Sequence, residues 1–582
     1  MSSDTETGLV EGNNCWRVSQ AERFGWLIDA EEYFKAVRSS IGKAEHEILI
    51  LGWDIDSRTQ LIRDPDHPDY PSPLAETLES LVRQKPGLRV HVLSWDFSVI
   101  YVLERELLPA RSFGWQNSER LHFELDGEHP VGASQHQKIV VIDGVLAFSG
   151  GIDLTKARWD TRRHAAGDER RKDPDGQSYR PFHDVQAVVS GPAAADLRDL
   201  VSERWRSATG DSLPELDEKA GGIWPDDVRV RGTEVDTAIA RTWIHPDNDR
   251  DIREVVQLYL DTIKSARHYI YIENQYFTSP EITAALEERL RDDTPPEIAI
   301  VMPGETSGWL EQATMDVLRN EAFDRLRRAD SRGMLRIVSP VFDELGDTAI
   351  NVHAKIMVAD GHLARIGSAN LSQRSMGLDS ECDILVDDDD CAGQLAADLL
   401  AEHMGVDISD VAESLARDGL FSTIDRFNGG ARRLEKLETA TDDLEQTVLR
   451  PMAQIADLEK PLVRNAESPE QDDTDTEGET MHTPPSGWIF IGLFAAILGL
   501  WIYLGVQGTG DDFQPRTLLD NLRKVAAHPL APWVAVPAFV AGSLVVTPVT
   551  AMIALCGLLF EPWVAVLTAT AGMLASTVVN HW

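Results

Sequence analysis

The chain has 582 residues, which is long enough for several domains of about 150 residues each. It carries 96 acidic and 55 basic residues, for a formal net charge of −41. A surface of this charge repels nucleic acid, so no nucleic-acid partner is expected. The four cysteines lack paired spacing, which argues against a disulfide framework and a zinc site and fits a reducing compartment. We expect no metal and no cofactor.

Helix and strand patterns alternate along the first two thirds of the chain. A helical pattern from residue 30 leads to strand patterns at 47–54 and 88–95. The same order returns further on, with strand patterns at 269–277 and 297–302. The repeat predicts an α/β fold with two pseudo-symmetric halves packed face to face around one cleft.

A His-x-Lys-x4-Asp-x6-Gly pattern occurs twice, once in each half. The two copies place the histidine, lysine and aspartate at His136, Lys138 and Asp143, and at His353, Lys355 and Asp360. Because side chains two apart share one face of a strand, each histidine should lie beside its lysine. Two imidazoles can supply a nucleophile and a proton donor, and two ammonium groups can neutralise phosphoryl oxygens.

The doubled pattern, followed by Gly-Gly in one copy and Gly-Ser-x-Asn in the other, resembles the phospholipase D superfamily over about residues 20–425. The resemblance implies that His136 is the nucleophile and His353 the general acid and base. The sequence alone does not order the two, because the halves are nearly symmetric. We count Asp143 and Asp360 with the catalytic motif, as members that hold its loop together.

Further residues are assigned around this motif by aligning the halves. We predict that Asp184 orients His136 and that Glu381 orients His353. His164 and His183 are interpreted as bystanders. Motif residues expected to bind substrate are Gly150, Gly151, Ser368 and Asn370. Residues 273–277 resemble the equivalent segment of phosphatidylcholine-type phospholipases D, and this resemblance adds Glu273, Asn274 and Gln275.

The C-terminal third differs in composition from the rest. Residues 488–506 hold no charged side chain and have a length suited to a transmembrane helix. Residues 531–582 are almost wholly apolar with helix-breaking interruptions, and they resemble the start of a DedA-type (SNARE-associated, VTT) membrane domain that we expect to be truncated. The predicted segments are a disordered tail 1–19, halves 20–230 and 231–425, a helical connector 426–465, an acidic disordered linker 466–487, the transmembrane helix 488–506, an amphipathic loop 507–530 and the membrane domain 531–582.

These features favour a membrane-anchored phospholipase D that hydrolyses glycerophospholipids to phosphatidic acid and an alcohol through a phosphohistidine. The expected partners are a phospholipid, the bilayer, and water or an alcohol as acceptor. Alternatives are a cardiolipin synthase-type phosphatidyltransferase, a nuclease or other phosphodiesterase, and a transport protein with a degenerate enzyme domain. We expect a multi-pass protein of the cell membrane with a cytoplasmic catalytic part, and we leave the oligomeric state open.

Overall fold

The computed structural model describes residues 8–96, 119–130, 132–216, 222–245, 251–304, 309–438 and 457–460. The first half combines a set of strands with two helices near its N-terminus and one helix that closes the half. The helices are α1 Asp29–Lys43, α2 Leu74–Gln84 and α3 Pro192–Thr209. The strands are β1 Arg17–Ile28, β2 Glu47–Gly52, β3 Arg89–Trp95, β4 Leu121–Asp126, β5 Ile139–Ile142, β6 Leu146–Gly150, β7 Phe182–His183 and β8 Val185–Ser190.

The second half repeats the order of the first and adds helices at its end. Its strands are β9 Gly232–Trp243, β10 Ile252–Arg253, β11 Tyr269–Asn274, β12 Glu297–Val301, β13 Leu335–Phe342, β14 Asn351–Val352, β15 Lys355–Ala359, β16 Leu363–Gly367, β17 Glu381–Asp387 and β18 Arg432–Lys436. Its helices are α4 Glu254–Ser265, α5 Pro280–Arg291, α6 Trp309–Ala329, α7 Gln373–Gly377, α8 Asp389–Met404, α9 Ile408–Asp418 and α10 Leu420–Phe427.

The strand order confirms the predicted repeat. The first half runs β4-β3-β2-β5-β6-β8-β1, and the second runs β13-β12-β11-β15-β16-β17-β9 with β18 added at its edge. Parallel strands lie at the outside of each half, and antiparallel hairpins lie at the centre. Helical crossovers connect β2 with β3, β11 with β12 and β12 with β13. The two halves join through the antiparallel pair β1 and β9, which makes one 16-stranded sheet.

The inner strands of the two halves also pack against each other. One apolar core contains Leu49 and Val141 from the first half together with Ile356 and Ile384 from the second. Two further cores lie under the helices on the outer face of each half. The two halves therefore share one core as well as one sheet, and the strand pair β1–β9 that connects them was not predicted.

Two predicted segment boundaries need correction. The predicted disordered tail includes residues 8–19, yet Cys15 is fully buried and β1 begins at Arg17. The predicted helical connector includes β18, Arg432–Lys436, which pairs antiparallel with β13. Both segments are held because strand pairing satisfies their backbone groups, which a reading of charge and polarity does not reveal.

The predicted acidic linker, transmembrane helix, amphipathic loop and membrane domain, residues 466–582, lie outside the described residues. Within the ranges that the structure describes, no helix combines the length and the apolar composition needed to cross a bilayer.

Asp143 and Asp360 occupy equivalent turns at the far end of the hairpin strands from the motif histidines. Asp143 accepts hydrogen bonds of 2.7–2.8 Å from the backbone N–H groups of residues 45–47, just before and at the start of β2. Asp360 accepts bonds of 2.6–2.8 Å from the N–H groups of residues 267–269, leading into β11. These contacts place both aspartates outside the chemistry and agree with the loop-holding role that we assigned to them.

We predict that Asp143→Ala lowers the stability of the protein more than Asp360→Ala does. Asp143 is 1% exposed, so its loss leaves buried donors without partners, at a cost of about 1–3 kcal/mol. Thermal unfolding of the full chain measures the effect. Asp226→Ala is the control, because that carboxylate is 73% exposed and pairs only with surface groups. An unchanged unfolding temperature in Asp143→Ala would contradict the assigned role.

Candidate active site

Both motif histidines lie at the boundary between the halves. His136 comes shortly before β5, and His353 lies between β14 and β15. The parallel pair β7–β14 crosses the boundary next to His353, and a bridge between Gln135 and Ser380 crosses it next to His136. These two crossings bring the predicted motifs together in one site.

A glutamate of the second half holds the histidine of the first. His136 Nδ1 lies 2.9 Å from one carboxylate oxygen of Glu381 and 3.0 Å from the other. The backbone N–H of His136 donates to the carbonyl of Ser380 at 2.9 Å. Glu381 is fully buried, while the His136 side chain is 15% exposed. The ring therefore presents Nε2 to the cleft and keeps Nδ1 on its carboxylate.

The mirror arrangement holds the second histidine. His353 Nδ1 lies 2.6 Å from Asp184 Oδ2, and the His353 backbone N–H donates to the carbonyl of His183 at 2.7 Å. Our predicted pairing was wrong: both carboxylates are correct, but each holds the histidine of the opposite half. The reason is that the loop before each histidine pairs with the strand start that carries the other half's carboxylate.

The two lysines are buried beside their histidines. Lys138 Nζ lies 3.1 Å from Asp153 Oδ2 and 3.1 Å from the carbonyl of His136. Lys355 Nζ lies 3.2 Å from His353 Nδ1 and 3.4 Å from Gln275 Oε1. The lysines are 2% and 1% exposed, so their charges act in a medium of low dielectric constant.

The two carboxylates that hold the histidines have pKa values shifted in opposite directions. Burial raises the pKa of Asp184 to about 7, and burial with the charge of Lys355 lowers the pKa of His353 well below its usual value. Burial alone would raise the pKa of Glu381, but the charge and the hydrogen bond of His136 outweigh it and lower that pKa. Burial also lowers the pKa of Lys355 to about 7. Excess positive charge around His353 therefore suits an anion.

Three residues predicted to bind substrate lie instead against the two carboxylates or against the strand that follows Asp184. A Cβ on Gly151 would lie 2.1 Å from Asp184 Oδ1, and one on Gly150 would lie 2.6 Å from the carbonyl of residue 185. The N–H of Gly151 donates to that same carbonyl at 3.1 Å, so it does not face the cleft. Ser368 is fully buried and donates from Oγ to Glu381 Oε2 at 2.5 Å. These contacts correct the predicted role of all three residues.

The segment 273–275 divides between the cleft and the interior. Glu273 is fully buried and binds His183 and His403 at 2.9 Å each, so its predicted contact with substrate is wrong. Asn274 is also fully buried, and its Oδ1 accepts the backbone N–H groups of residues 276 and 371. Only Gln275 keeps the predicted position, through its contact with Lys355.

Asn370 and Asp153 occupy equivalent positions, each three residues after the motif glycine that ends β16 or β6. Asn370 remains a candidate to bind substrate, since it is 6% exposed and no hydrogen bond within the described residues reaches its Oδ1. The sequence analysis missed Asp153, which binds Lys138. Comparing the two motif copies position by position would have identified it.

Arg158 and His183 were also missed as parts of the site region. The charge of Arg158 lowers the pKa of His353 and of Lys355, so a third cation lies near the two lysines. His183 was interpreted as a bystander, but it precedes Asp184 and its carbonyl binds His353. No local sequence signal distinguishes either residue.

Comparison with known proteins matches both halves. Residues 128–283 match the family model described as "Phospholipase D", and residues 259–402 match "Cardiolipin synthase, PLD-like domain". Phospholipase D A of Dictyostelium discoideum is 25% identical over 428 residues, which cover 62% of this chain and 32% of the relative. Phospholipase D alpha 1 of Carica papaya is 25% identical over 487 residues, which cover 60% of each chain. The chain carries phospholipase D superfamily domains.

The chain spans between 32% and 60% of the length of these two curated relatives. Among solved structures, that of phosphatidylserine synthase from Haemophilus influenzae Rd KW20 aligns with a TM-score of 0.46 and 15% identity. The alignment covers 76% of this chain and 95% of that chain.

The crossed pairing predicts which histidine senses each carboxylate. In Glu381→Gln the ring ¹⁵N signals of His136 should move and those of His353 should stay, because only His136 binds that carboxylate. Asp184→Asn should move the ring ¹⁵N signals of His353 and leave those of His136 unchanged. Ring-¹⁵N-histidine NMR on the full-length variants provides the measurement. If Asp184→Asn moves the His136 signals alone, the uncrossed pairing is correct.

We predict that Gly151→Ala lowers turnover by about 100-fold, because the added methyl group displaces Asp184 from His353. Gly222→Ala is the matched control, since no atom of the described residues lies within 4 Å of its added Cβ and its backbone is not in the left-handed region. Steady-state kinetics on a phosphodiester substrate provides the comparison. Equal turnover in the two variants would refute the positioning role of Gly151.

Proposed function

We propose that this protein cleaves the distal phosphodiester of a glycerophospholipid and forms phosphatidic acid through a phosphohistidine intermediate. The observation that carries the proposal is the pair of imidazoles, each held at Nδ1 by a buried carboxylate of the opposite half. Such a pair supplies one nucleophile and one proton carrier to a single phosphorus atom. The match to the phospholipase D model over residues 128–283 supports the same chemistry.

In the first step His136 Nε2 attacks phosphorus, and the bond from phosphorus to the headgroup oxygen breaks. The negative charge of the bound phosphoryl group offsets the positive charge around His353, so that this ring takes up a proton when substrate binds. His353 gives this proton from Nε2 to the departing oxygen, which leaves as an alcohol. The ionised carboxylate of Glu381 stabilises the positive charge that develops on the His136 ring. This role follows from the lowered pKa of Glu381 and its direct contact with His136.

In the second step neutral His353 takes a proton from water, and the oxygen of that water attacks phosphorus. The bond between phosphorus and His136 Nε2 breaks, which releases phosphatidic acid and restores the nucleophile. Lys138 and Lys355 bind the non-bridging oxygens in both steps, and the negative charge of the phosphoryl group offsets the crowded positive charge around His353.

A phosphatidyltransferase of the cardiolipin synthase type is the second candidate. The match of residues 259–402 to a cardiolipin synthase-type model favours it. The chemistry differs only in the acceptor, since a lipid alcohol in place of water gives a new phosphodiester. A nuclease is disfavoured because a chain of net charge −41 repels a polyanionic substrate.

We further propose that the protein resides in the cell membrane with its catalytic part in the cytoplasm. Two sequence features support this proposal. Residues 488–506 carry no charge over a length suited to a bilayer, and residues 531–582 resemble a DedA-type membrane domain. Such an anchor would hold the site close to its lipid substrate.

Product analysis tests the proposed reaction. Full-length protein is incubated with phosphatidylcholine vesicles, with phosphatidylglycerol vesicles and with single-stranded DNA, each with and without a primary alcohol. We expect phosphatidic acid from lipid, partly replaced by a phosphatidyl alcohol when alcohol is added, and we expect no cleavage of DNA. Cardiolipin from phosphatidylglycerol would favour the transferase. Cleavage of DNA alone would contradict both lipid reactions.

Trapping the intermediate tests the roles of the histidines. With a phospholipid labelled in the phosphatidyl group, His353→Asn should accumulate label on residue 136, because attack still occurs while hydrolysis is slowed. His136→Asn should accumulate none. The surface histidine variant His362→Asn, at a side chain 46% exposed, is the control and should behave like the wild type. Label on His353 in His136→Asn would reverse the assigned roles.

A further inference from the structure

Four side chains from separate parts of the first and second halves converge beneath the active site. They are Asp29 at the start of α1, His164 in the segment between β6 and β7, His183 in β7 and Glu402 in α8. Each offers one ligand atom, and the four atoms all lie within 4.8 Å of one another. Asp29, His164 and His183 are fully buried, and the Glu402 side chain is 1% exposed.

The distances among these atoms fit a common centre better than a set of hydrogen bonds. His164 Nε2 lies 3.4 Å from Asp29 Oδ2 and 3.3 Å from Glu402 Oε1. His183 Nδ1 lies 3.2 Å from the other oxygen of Asp29, Oδ1, and 3.1 Å from the same oxygen of Glu402. A tetrahedron with metal–ligand bonds of about 2.0–2.1 Å has edges of about 3.3–3.4 Å. Charge-assisted hydrogen bonds are shorter, about 2.7–2.9 Å.

Two of the inward-facing atoms have no hydrogen bond. Among the residues that the structure describes, none donates to Asp29 Oδ2 or makes a hydrogen bond of acceptable geometry with His183 Nδ1. Leaving buried polar atoms unsatisfied costs about 1–3 kcal/mol each. Both atoms point at the position where the four side chains meet, so a bound ion would satisfy them.

The opposite ring nitrogens are each held by a further carboxylate. His164 Nδ1 lies 3.0 Å from Asp160 Oδ2, and His183 Nε2 lies 2.9 Å from Glu273 Oε2. Metal-binding histidines commonly donate their other N–H to a carboxylate, which fixes the tautomer and turns the free lone pair toward the metal. Arg162 also contacts the second oxygen of Glu402 at 2.5 Å and so orients that ligand.

We propose that Asp29, His164, His183 and Glu402 bind one divalent metal ion of the zinc class. Two imidazole nitrogens with two carboxylate oxygens suit zinc, whereas calcium prefers six to eight oxygen ligands at about 2.3–2.6 Å. Because four protein side chains already complete a tetrahedron, the ion has no open position for substrate. The site is structural, and it was not expected from the sequence, where the four residues are separated by up to 373 positions.

The ion would act on the active site through the backbone that joins His183 to Asp184. His183 directly precedes Asp184, the carboxylate that holds His353. The N–H of Asp184 also donates to Asp29 Oδ1 at 3.2 Å. The metal ion therefore fixes the backbone at Asp184 from two ligands and positions His353 without touching the reacting phosphorus.

Metal analysis of the purified full-length protein tests the site and does not depend on lipid activity. After dialysis against metal-free buffer, elemental mass spectrometry should find about one zinc-class ion per chain. His164→Asn should lose it. His362→Asn is the matched control, because that histidine also lies between two carboxylates, at 2.7 and 2.9 Å, but on the surface. The His362→Asn protein should retain about one metal ion per chain.

Asp160→Asn and cobalt substitution keep the test decisive if His164→Asn does not fold. Asp160→Asn preserves all four ligands and should release the ion to a chelator about 10- to 100-fold more readily than the wild type. Protein loaded with Co²⁺ should show the intense visible absorption of a four-coordinate ion, and removal of the metal should lower the unfolding temperature.

Wild-type protein that holds no stoichiometric ion, gives no such cobalt spectrum and unfolds at the same temperature with or without chelator would overturn the proposal. The four side chains would then form an ion-pair network held by protons on the histidines. Either result leaves the proposed lipid chemistry to be judged by its own product analysis.

Discussion

Each half supplies the carboxylate that holds the motif histidine of the other half, and the site depends on these two contacts. Neither half contains the carboxylate that holds its own motif histidine, because Glu381 holds His136 and Asp184 holds His353. An isolated imidazole can rotate and change tautomer, and a carboxylate at Nδ1 removes both freedoms. The catalytic geometry therefore forms only when the halves are docked, and the strand pair β1–β9 and the shared core keep them docked.

The two copies have diverged around this common plan. Ser368 donates to Glu381, whereas Gly151 lies at the equivalent position and leaves space for Asp184. The copies also differ three residues after the motif glycine, where one has the amide Asn370 and the other the carboxylate Asp153. Of these two residues, Asp153 pairs with a motif lysine, Lys138. Burial raises the pKa of Asp184, whereas the charge and hydrogen bond of His136 and the hydrogen bond of Ser368 outweigh burial and lower the pKa of Glu381. Such asymmetry is what one histidine acting as nucleophile and the other as proton carrier would require.

Much of this arrangement could be predicted from the sequence, because it follows from local spacing. The period-two placement of His136 and Lys138, the repeat of that pattern and the alternation of helix with strand are all visible in the chain itself. These features need no knowledge of which distant segments touch. The role of Asp143 could be assigned from its place in the motif, but its partners, the backbone N–H groups of residues 45–47, lie 96 to 98 positions away along the chain.

What could not be predicted depends on contacts across the interface between the halves. The partner of each histidine is decided by the pairing of β7 with β14 and of Gln135 with Ser380, which no local pattern encodes. For the same reason Glu273 was placed at the cleft although it is fully buried among histidines.

The central claim is that the imidazoles of His136 and His353 share one cleft. A crystal structure with tungstate, a phosphate analogue, tests this claim most directly. We predict one tungstate ion within bonding or hydrogen-bonding reach of Nε2 of both His136 and His353. Tungstate bound to one histidine with the other facing separate solvent would contradict the account.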